Sequence, residues 1–123
     1  MEPHRRFLTR AALLGALGVA SGAFGAHALR DSVSAERLET WQTGAHYLLV
    51  HAVILAALAL HGDPHPWARR LFTAGSCIFA GTLFALVLLD LPVLGAITPV
   101  GGASLIAGWL VLAWSLRNGE ATR

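Results

Sequence analysis

The chain has 123 residues, of which 55% are apolar and only 13% charged, and its formal net charge is +2. A soluble domain usually carries about 25% charged residues, so this chain has too little polar surface for an ordinary soluble protein. Its nine basic residues are all arginines, typical of a bacterial, GC-rich genome, and they form no basic stripe of the kind that nucleic-acid binding needs. The composition therefore predicts one domain, residues 1–123, with no nucleic-acid partner.

Four apolar segments follow one another along the chain, at about residues 8–29, 44–61, 71–89 and 99–116. Each is close to the roughly 20 residues that a helix needs to cross the hydrocarbon of a bilayer. None shows the single polar face that a helix of a soluble bundle carries. The sequence therefore predicts an all-α, four-helix transmembrane bundle that lies in the lipid bilayer of the bacterial inner (plasma) membrane.

The first segment contains the charge-free run Ala11–Leu29 and a regular series of glycines. Gly15, Gly18, Gly22 and Gly25 are spaced three, four and three residues apart, which places them on one stripe of a helix. In lipid, helices associate through the close approach that small residues allow. The stripe therefore predicts a helix–helix interface, and a substrate path along it is the alternative. The fourth segment offers further packing glycines: Gly101, Gly102 and Gly108.

The N-terminus allows a rival interpretation as an export signal. Arg5 and Arg6 precede the apolar run, and Ala26-His27-Ala28 resembles a cleavage site, as in a twin-arginine signal. We favour a permanent first helix, because the run is long enough to span the bilayer and because the glycine stripe implies a lasting packing partner.

Local signals predict where the helices begin and end. Ser34 can cap a second helix that begins outside the membrane, and Asp63-Pro64 with Pro66 ends it on the other side. Thr98-Pro99 predicts the start of the fourth helix. Three tryptophans are expected at the membrane boundaries, in an aromatic belt: Trp41, Trp67 and Trp114.

Polar residues within or beside the apolar segments raise the question of function, because such residues are unfavourable in hydrocarbon. We expect them to form one cluster near the outer leaflet, with His51 the deepest and with His27 and His51 hydrogen-bonded inside the bundle. The cluster comprises His27, Gln42, His46, Tyr47, His51 and Asp90.

Four interpretations of this cluster are open: a structural hydrogen-bonded network, a proton relay through His51, a metal site and a haem held by two histidines. We favour the structural network. His46 and His51 lie about 140° apart around a helix and cannot easily bind one ion. A metal site in the loop of His61, Asp63 and His65 is a weaker alternative. No metal or cofactor is therefore expected.

Enzyme motifs such as HExxH, GxSxG and a phosphate-binding loop are absent from the sequence. We expect a non-enzymatic protein that is structural or that binds a partner, either another membrane protein or a second copy of itself. The alternative is a small transporter or a proton-linked channel that uses the intramembrane histidines. Small drug exporters use an intramembrane acidic residue, and the four apolar runs contain none.

Several motifs also resemble a known family. They are GAFGAHAL (22–29), WQTGAHYLLVHA (41–52), ITPVGG (97–102) and AGW (107–109), and they resemble the domain of unknown function 423 family, small bacterial inner-membrane proteins similar to eukaryotic transmembrane protein 256. The resemblance implies four transmembrane helices, an uncleaved first helix and no established activity. It maps recurring family residues onto Gly22, Gly25, His27, Tyr47, His51, Pro99, Gly101 and Gly102. FAGTLF (79–84) departs from the expected FSGSLY, since Ala80 and Phe84 lack hydroxyls.

The distribution of arginines predicts that both termini are cytoplasmic, because seven lie on that side and only Arg30 and Arg37 on the other. A reporter fused at Arg123 should be active only as a cytoplasmic reporter, and one inserted at Ser34 only as an exported reporter. An exported signal at Arg123, or a mature chain that starts at Leu29 or Asp31, would contradict this topology.

Overall fold

The computed structural model describes the backbone of residues 3–121 and the side chains of residues 4–119. Arg123, one of the seven arginines that predict the topology, lies outside these residues. The helices are α1 (Pro3–Phe24), continued by a π-helical turn (Gly25–Leu29), α2 (Ala35–Leu60), α3 (Pro66–Leu89) and α4 (Thr98–Ala121), with a 3-10 helix (Pro92–Ala96) before α4. Four helical stretches of the described chain are long and apolar enough to cross a membrane, and this confirms the predicted all-α bundle.

Each helix packs against the one that precedes it in the chain, so that the neighbours are α1–α2, α2–α3 and α3–α4. Within residues 3–121, the backbones of α1 and α4 make no direct contact. Side chains nevertheless join all four helices in the main core, where Phe72 is fully buried. The core residues are Ala11, Leu55, Leu58, Ala68, Phe72, Leu105 and Leu112.

The ends of the helices follow the local signals in the sequence. The Ser34 hydroxyl accepts a hydrogen bond from the Arg37 backbone N–H at 3.2 Å, so α2 begins with the predicted cap. At its other end Gly62 adopts a φ of +80°, and the Asp63 N–H reaches back to the Leu58 carbonyl at 2.8 Å. This is the Schellman arrangement, in which glycine takes the left-handed position. α2 thus begins nine residues before its apolar segment, which starts at residue 44.

The two ends of the bundle carry different ionic contacts. At one end the Arg69 guanidinium lies 3.9 Å from the centre of the Phe7 ring and bonds the Asp63 carboxylate at 2.8 Å. We call this the arginine-rich end. At the other, the Asp90 end, Arg37 of α2 forms an ion pair with Asp90, which closes α3 in a left-handed conformation. The N-terminus and the α2–α3 loop therefore share one end.

All four glycines of the α1 stripe face α2. A methyl group added at Gly25 would lie 2.6 Å from Trp41 Cδ1, and one at Gly18 would lie 3.1 Å from the Leu49 backbone. Gly15 and Gly22 are less constrained, with nearest contacts of 3.7 and 4.0 Å. The approach of α1 to α2 is thus tightest at Gly25 and Gly18, where a larger residue meets atoms that cannot easily move.

α3 and α4 approach each other still more closely. A methyl group at Gly101 would lie 2.5 Å from the backbone nitrogen of Phe79, whereas one at the neighbouring Gly102 would meet only the Phe79 ring, at 3.7 Å. The Ser104 hydroxyl donates to the Leu71 carbonyl at 2.8 Å across the same interface. Main chain thus packs directly on main chain at Gly101.

Trp41 does not belong to the predicted aromatic belt. It is only 5% exposed, its indole N–H donates to the Ser21 carbonyl at 2.6 Å, and its ring packs on Phe84 at 4.4 Å between centroids. The belt prediction was therefore wrong for Trp41, because an α1 carbonyl satisfies its polar atom inside the bundle. Trp67 and Trp114 are 65% and 66% exposed, as residues at a membrane boundary would be.

The contrast between Gly101 and Gly102 gives a test of the α3–α4 interface. Gly101→Ala should lower stability by about 1–3 kcal/mol or more, the usual effect of overpacking, because backbone atoms of α3 would have to move. Gly102→Ala should change stability little. Thermal unfolding in mild detergent measures both, and equal stabilities of the two variants would contradict the close approach.

Candidate functional site

The six polar residues predicted to cluster lie in different parts of the bundle. His51 is buried, at 3% exposure, and Tyr47 lies one turn before it and is 42% exposed. Gln42 is half-buried, whereas His27, His46 and Asp90 are exposed. The structure brings the rings of His46 and His51 against that of Tyr47 and places Gln42 beside His46, whereas His27 and Asp90 lie apart, so the expected single cluster is not formed.

His51 uses both nitrogens of its ring. Nδ1 lies 2.7 Å from the backbone carbonyl of Tyr47, one turn earlier on α2. Nε2 lies 3.1 Å from Nε1 of Trp109 on α4. Because an indole nitrogen can only donate, Nε2 must accept, and we assign the proton to Nδ1, which donates to Tyr47. The hydrogen-bond pattern thus fits a neutral imidazole.

Aromatic rings surround the His51 imidazole. Tyr47 stacks nearly parallel to it, with 6.2 Å between centroids and an interplanar angle of 10°. Phe72 of α3 and Trp109 of α4 lie 5.6 and 5.9 Å from it, and these two rings pack on each other at 4.9 Å. The imidazole is therefore surrounded by aromatic rings from three helices, and Trp109 joins it to α4 through both a hydrogen bond and a ring contact.

Trp109 was missed as a site residue by reasoning from the sequence. It lies 58 positions after His51, too far for any spacing rule to connect them. The sequence offered one signal, the neighbouring Gly108. In the structure, a methyl group added at Gly108 would lie 2.8 Å from the Phe72 ring. A glycine beside a tryptophan inside an apolar run indicates a close approach by a partner helix.

His27 was predicted to lie inside the bundle, and this was wrong. It lies in the π-helical turn, where Gly25 and Leu29 are the buried residues. Since His27 is two positions from each, its side chain lies on the opposite face and is exposed. Within residues 3–121 it has no hydrogen-bond partner. Asp90, also expected in the cluster, pairs with Arg37 and has 70% of its side chain exposed.

Nothing in the described part of the chain resembles a metal centre, since it holds no group of three or more His, Cys, Asp or Glu side chains that could share an ion. His51 has no free nitrogen to offer, because Trp109 occupies Nε2. A separate polar atom remains unexplained: Ser76 is 1% exposed and its hydroxyl has no partner among the described residues. Ser76 lies one turn after Phe72 on α3, and both side chains are buried.

His51 lines none of three cavities on the surface of the described residues. One of these, of about 670 Å³, lies between the start of α3 and the end of α4 and is flanked by Trp67 and Trp114. A second, of about 430 Å³, lies between α1 and α2, and a third of about 50 Å³ adjoins Phe7 and Arg69. His51 is instead buried, with aromatic rings around its imidazole.

Comparison with known proteins gives a consistent result. The family described as "Protein of unknown function (DUF423)" matches residues 21–102. A UPF0382 membrane protein of Staphylococcus aureus is 36% identical over 110 residues, covering 86% of this chain and 90% of the relative. The UPF0382 inner membrane protein YgdD of Escherichia coli is 35% identical over 119 residues, covering 92% of this chain and 91% of the relative.

The similarity extends beyond bacteria. A UPF0382 membrane protein of Schizosaccharomyces pombe is 36% identical over 110 residues, covering 83% of this chain and 93% of the relative. No solved structure matches the chain. The family match, the relatives of near-equal length and the four apolar helices agree with one another, and the chain belongs to the DUF423 family of membrane proteins of unknown function.

Proposed function

We propose that this protein is a non-enzymatic, multi-pass protein of the inner membrane with a structural or partner-binding role, and that His51 serves to fix α2 to α4. The carrying observation is that both ring nitrogens of His51 are hydrogen-bonded, one of them to Trp109 of α4. The membrane placement is supported by the four apolar helices and by the name of the Escherichia coli relative, an inner membrane protein.

Proton transfer through His51 would need a free acceptor and a path to it. The Nε2 lone pair of His51 already accepts the hydrogen bond from Trp109. A proton bound to Nε2 would therefore point at the Trp109 N–H, and the Trp109 ring would have to move away. The imidazole is 3% exposed and lines none of the cavities described above. This geometry supports a structural role over the alternative, a small transporter or proton-linked channel.

The His51–Trp109 pair can be tested by a double-mutant cycle. Trp109→Phe keeps a ring against Phe72 but leaves the buried Nε2 of His51 unpaired, and it should lower stability by about 0.6–2 kcal/mol, the range for hydrogen bonds between membrane helices. His51→Gln should be tolerated better than His51→Leu, since an amide can still accept from Trp109.

In the cycle, the double variant His51→Leu with Trp109→Phe should lose less stability than the sum of the two single losses, because no polar atom is then left without its partner. Unfolding in mild detergent gives all four values. Strict additivity would show that the hydrogen bond contributes nothing and would remove the basis for the proposed fixing role.

Proton transport is tested directly with purified protein in sealed vesicles that carry a pH-sensitive dye. The parent protein and His51→Gln should both give the proton flux of protein-free vesicles. Ser76→Ala, which removes the unpaired buried hydroxyl, should give the same flux. A flux that the parent supports and His51→Gln abolishes would establish the channel alternative and overturn the structural role.

A further inference from the structure

The cavity of about 670 Å³ where α3 begins and α4 ends, which we call the α3–α4 cavity, has both a polar and an apolar lining. Three polar side chains line it, those of His65, Ser115 and Asn118, and their polar atoms have no hydrogen-bond partner among residues 4–119. Leu71 and Val111 form its apolar part. Its volume lies in the range of about 300–1,000 Å³ that is usual for small-molecule sites. The cavity is therefore large enough to hold part of an amphipathic molecule.

The α3–α4 cavity lies at the boundary of the membrane and not in its middle. α3 and α4 each contain 24 residues, or about 36 Å of helix, which exceeds the roughly 30 Å of hydrocarbon in a bilayer. Arg70 and Arg117 mark the boundary on these helices, since charged side chains avoid hydrocarbon. Trp67 and Trp114 flank the cavity at the level where tryptophan is enriched. Lipid headgroups therefore lie beside the mouth of the cavity.

The charges beside the α3–α4 cavity are positive. The Arg70 guanidinium lies over the ring of the lining residue Trp67, 5.1 Å from its centre, and Arg117 directly precedes the lining residue Asn118. Both arginines are exposed, and within residues 4–119 neither forms an ion pair. No Asp or Glu lies among the lining residues that the structure describes. Two cations without a counterion at the level of the headgroups favour an anionic ligand.

We infer that the α3–α4 cavity binds one anionic phospholipid from the leaflet that borders the arginine-rich end. Arg70 and Arg117 attract its phosphodiester, as basic residues at a membrane surface do. The hydroxyl, amide and imidazole groups of the lining donate hydrogen bonds to the phosphate oxygens, and an acyl chain continues along Leu71 and Val111. A zwitterionic phospholipid carries an additional cation, which the arginines repel. This inference goes beyond the role proposed for His51, which does not line the cavity.

A first experiment measures lipid binding to delipidated protein in mild detergent by native mass spectrometry. One molecule of phosphatidylglycerol should bind, and more tightly than phosphatidylcholine. Arg70→Gln and Arg117→Gln should each raise the dissociation constant for phosphatidylglycerol by about fivefold, as loss of one basic residue at a membrane surface would. Equal affinities of the parent protein for the two lipids would overturn the assigned anionic headgroup.

Arg6→Gln is the matched control, because it removes the same charge at the same end of the bundle but lies on α1, which does not line the cavity. Its dissociation constant should equal that of the parent protein. An equal loss of affinity in Arg6→Gln and Arg70→Gln would show attraction by overall charge and would overturn the cavity as the site. Inorganic phosphate in large excess should not displace the lipid, because it has no acyl chain. Displacement by phosphate would overturn a lipid as the occupant.

A second experiment fills the α3–α4 cavity without a change of charge. Ser115→Leu places a larger side chain in the cavity, whereas Ala113→Leu adds the same side chain at an exposed position of α4 outside the lining. Ser115→Leu should weaken the binding of phosphatidylglycerol, and Ala113→Leu should not. Thermal unfolding without added lipid shows whether each variant is folded. Unchanged binding by a folded Ser115→Leu would overturn the proposed site, and if that variant does not fold, the arginine variants decide.

These outcomes are separate from those that test the proposed function. Failure to bind phosphatidylglycerol would overturn the lipid site and leave the coupling between His51 and Trp109 as it is. Proton flux that depends on His51 would instead overturn the proposed structural role, with the lipid bound as before.

Discussion

In the hydrocarbon of the membrane no water competes for hydrogen bonds, and the structure of the whole bundle depends on this. Helices there gain nothing from hydrophobic association with one another, and close packing and interhelical hydrogen bonds must hold them together. The chain meets the first need with glycine at the tightest crossings: Gly25 against Trp41, and Gly101 against the Phe79 backbone. It meets the second with side-chain donors that reach across, from Trp41 to Ser21 and from Ser104 to Leu71.

His51 shows the same constraint applied to a titratable side chain. An imidazole in the core needs two partners, and α2 alone supplies one, the Tyr47 carbonyl. The other comes from Trp109, so the hydrogen bond that joins α2 to α4 also pairs a nitrogen that would otherwise be left without a partner in the core. The link matters because α2 and α4 are not neighbours in the packing of the backbone.

Local features of the sequence predicted the fold well. The apolar runs, the Ser34 cap, the glycine stripe and the Thr98 start of α4 all depend on residues close together in the chain, and the structure places them as expected. The expected angle of about 140° between His46 and His51 around α2 also agrees with the structure, in which His51 is buried and His46 is exposed.

The candidate site was predicted poorly, because its geometry depends on distant partners. His27 is the exception, because it lies two residues after Gly25, about 200° around a helix, and the spacing of the glycine stripe alone would have placed it on the opposite face. The burial of Trp41 requires the Ser21 carbonyl, 20 residues earlier, and the partner of His51 is 58 residues later. Spacing rules apply within one helix, whereas these contacts join different helices.

The order of packing along the chain has a consequence for biosynthesis. Within residues 3–121, each backbone interface between two of the long helices joins a helix to the one made just before it, and none joins α1 to α4. Contacts between consecutive elements close short loops, which makes assembly fast. We therefore expect each new helix to find its partner already in the bilayer. The main core is completed only when the last helix arrives, because residues of α4 contribute to it.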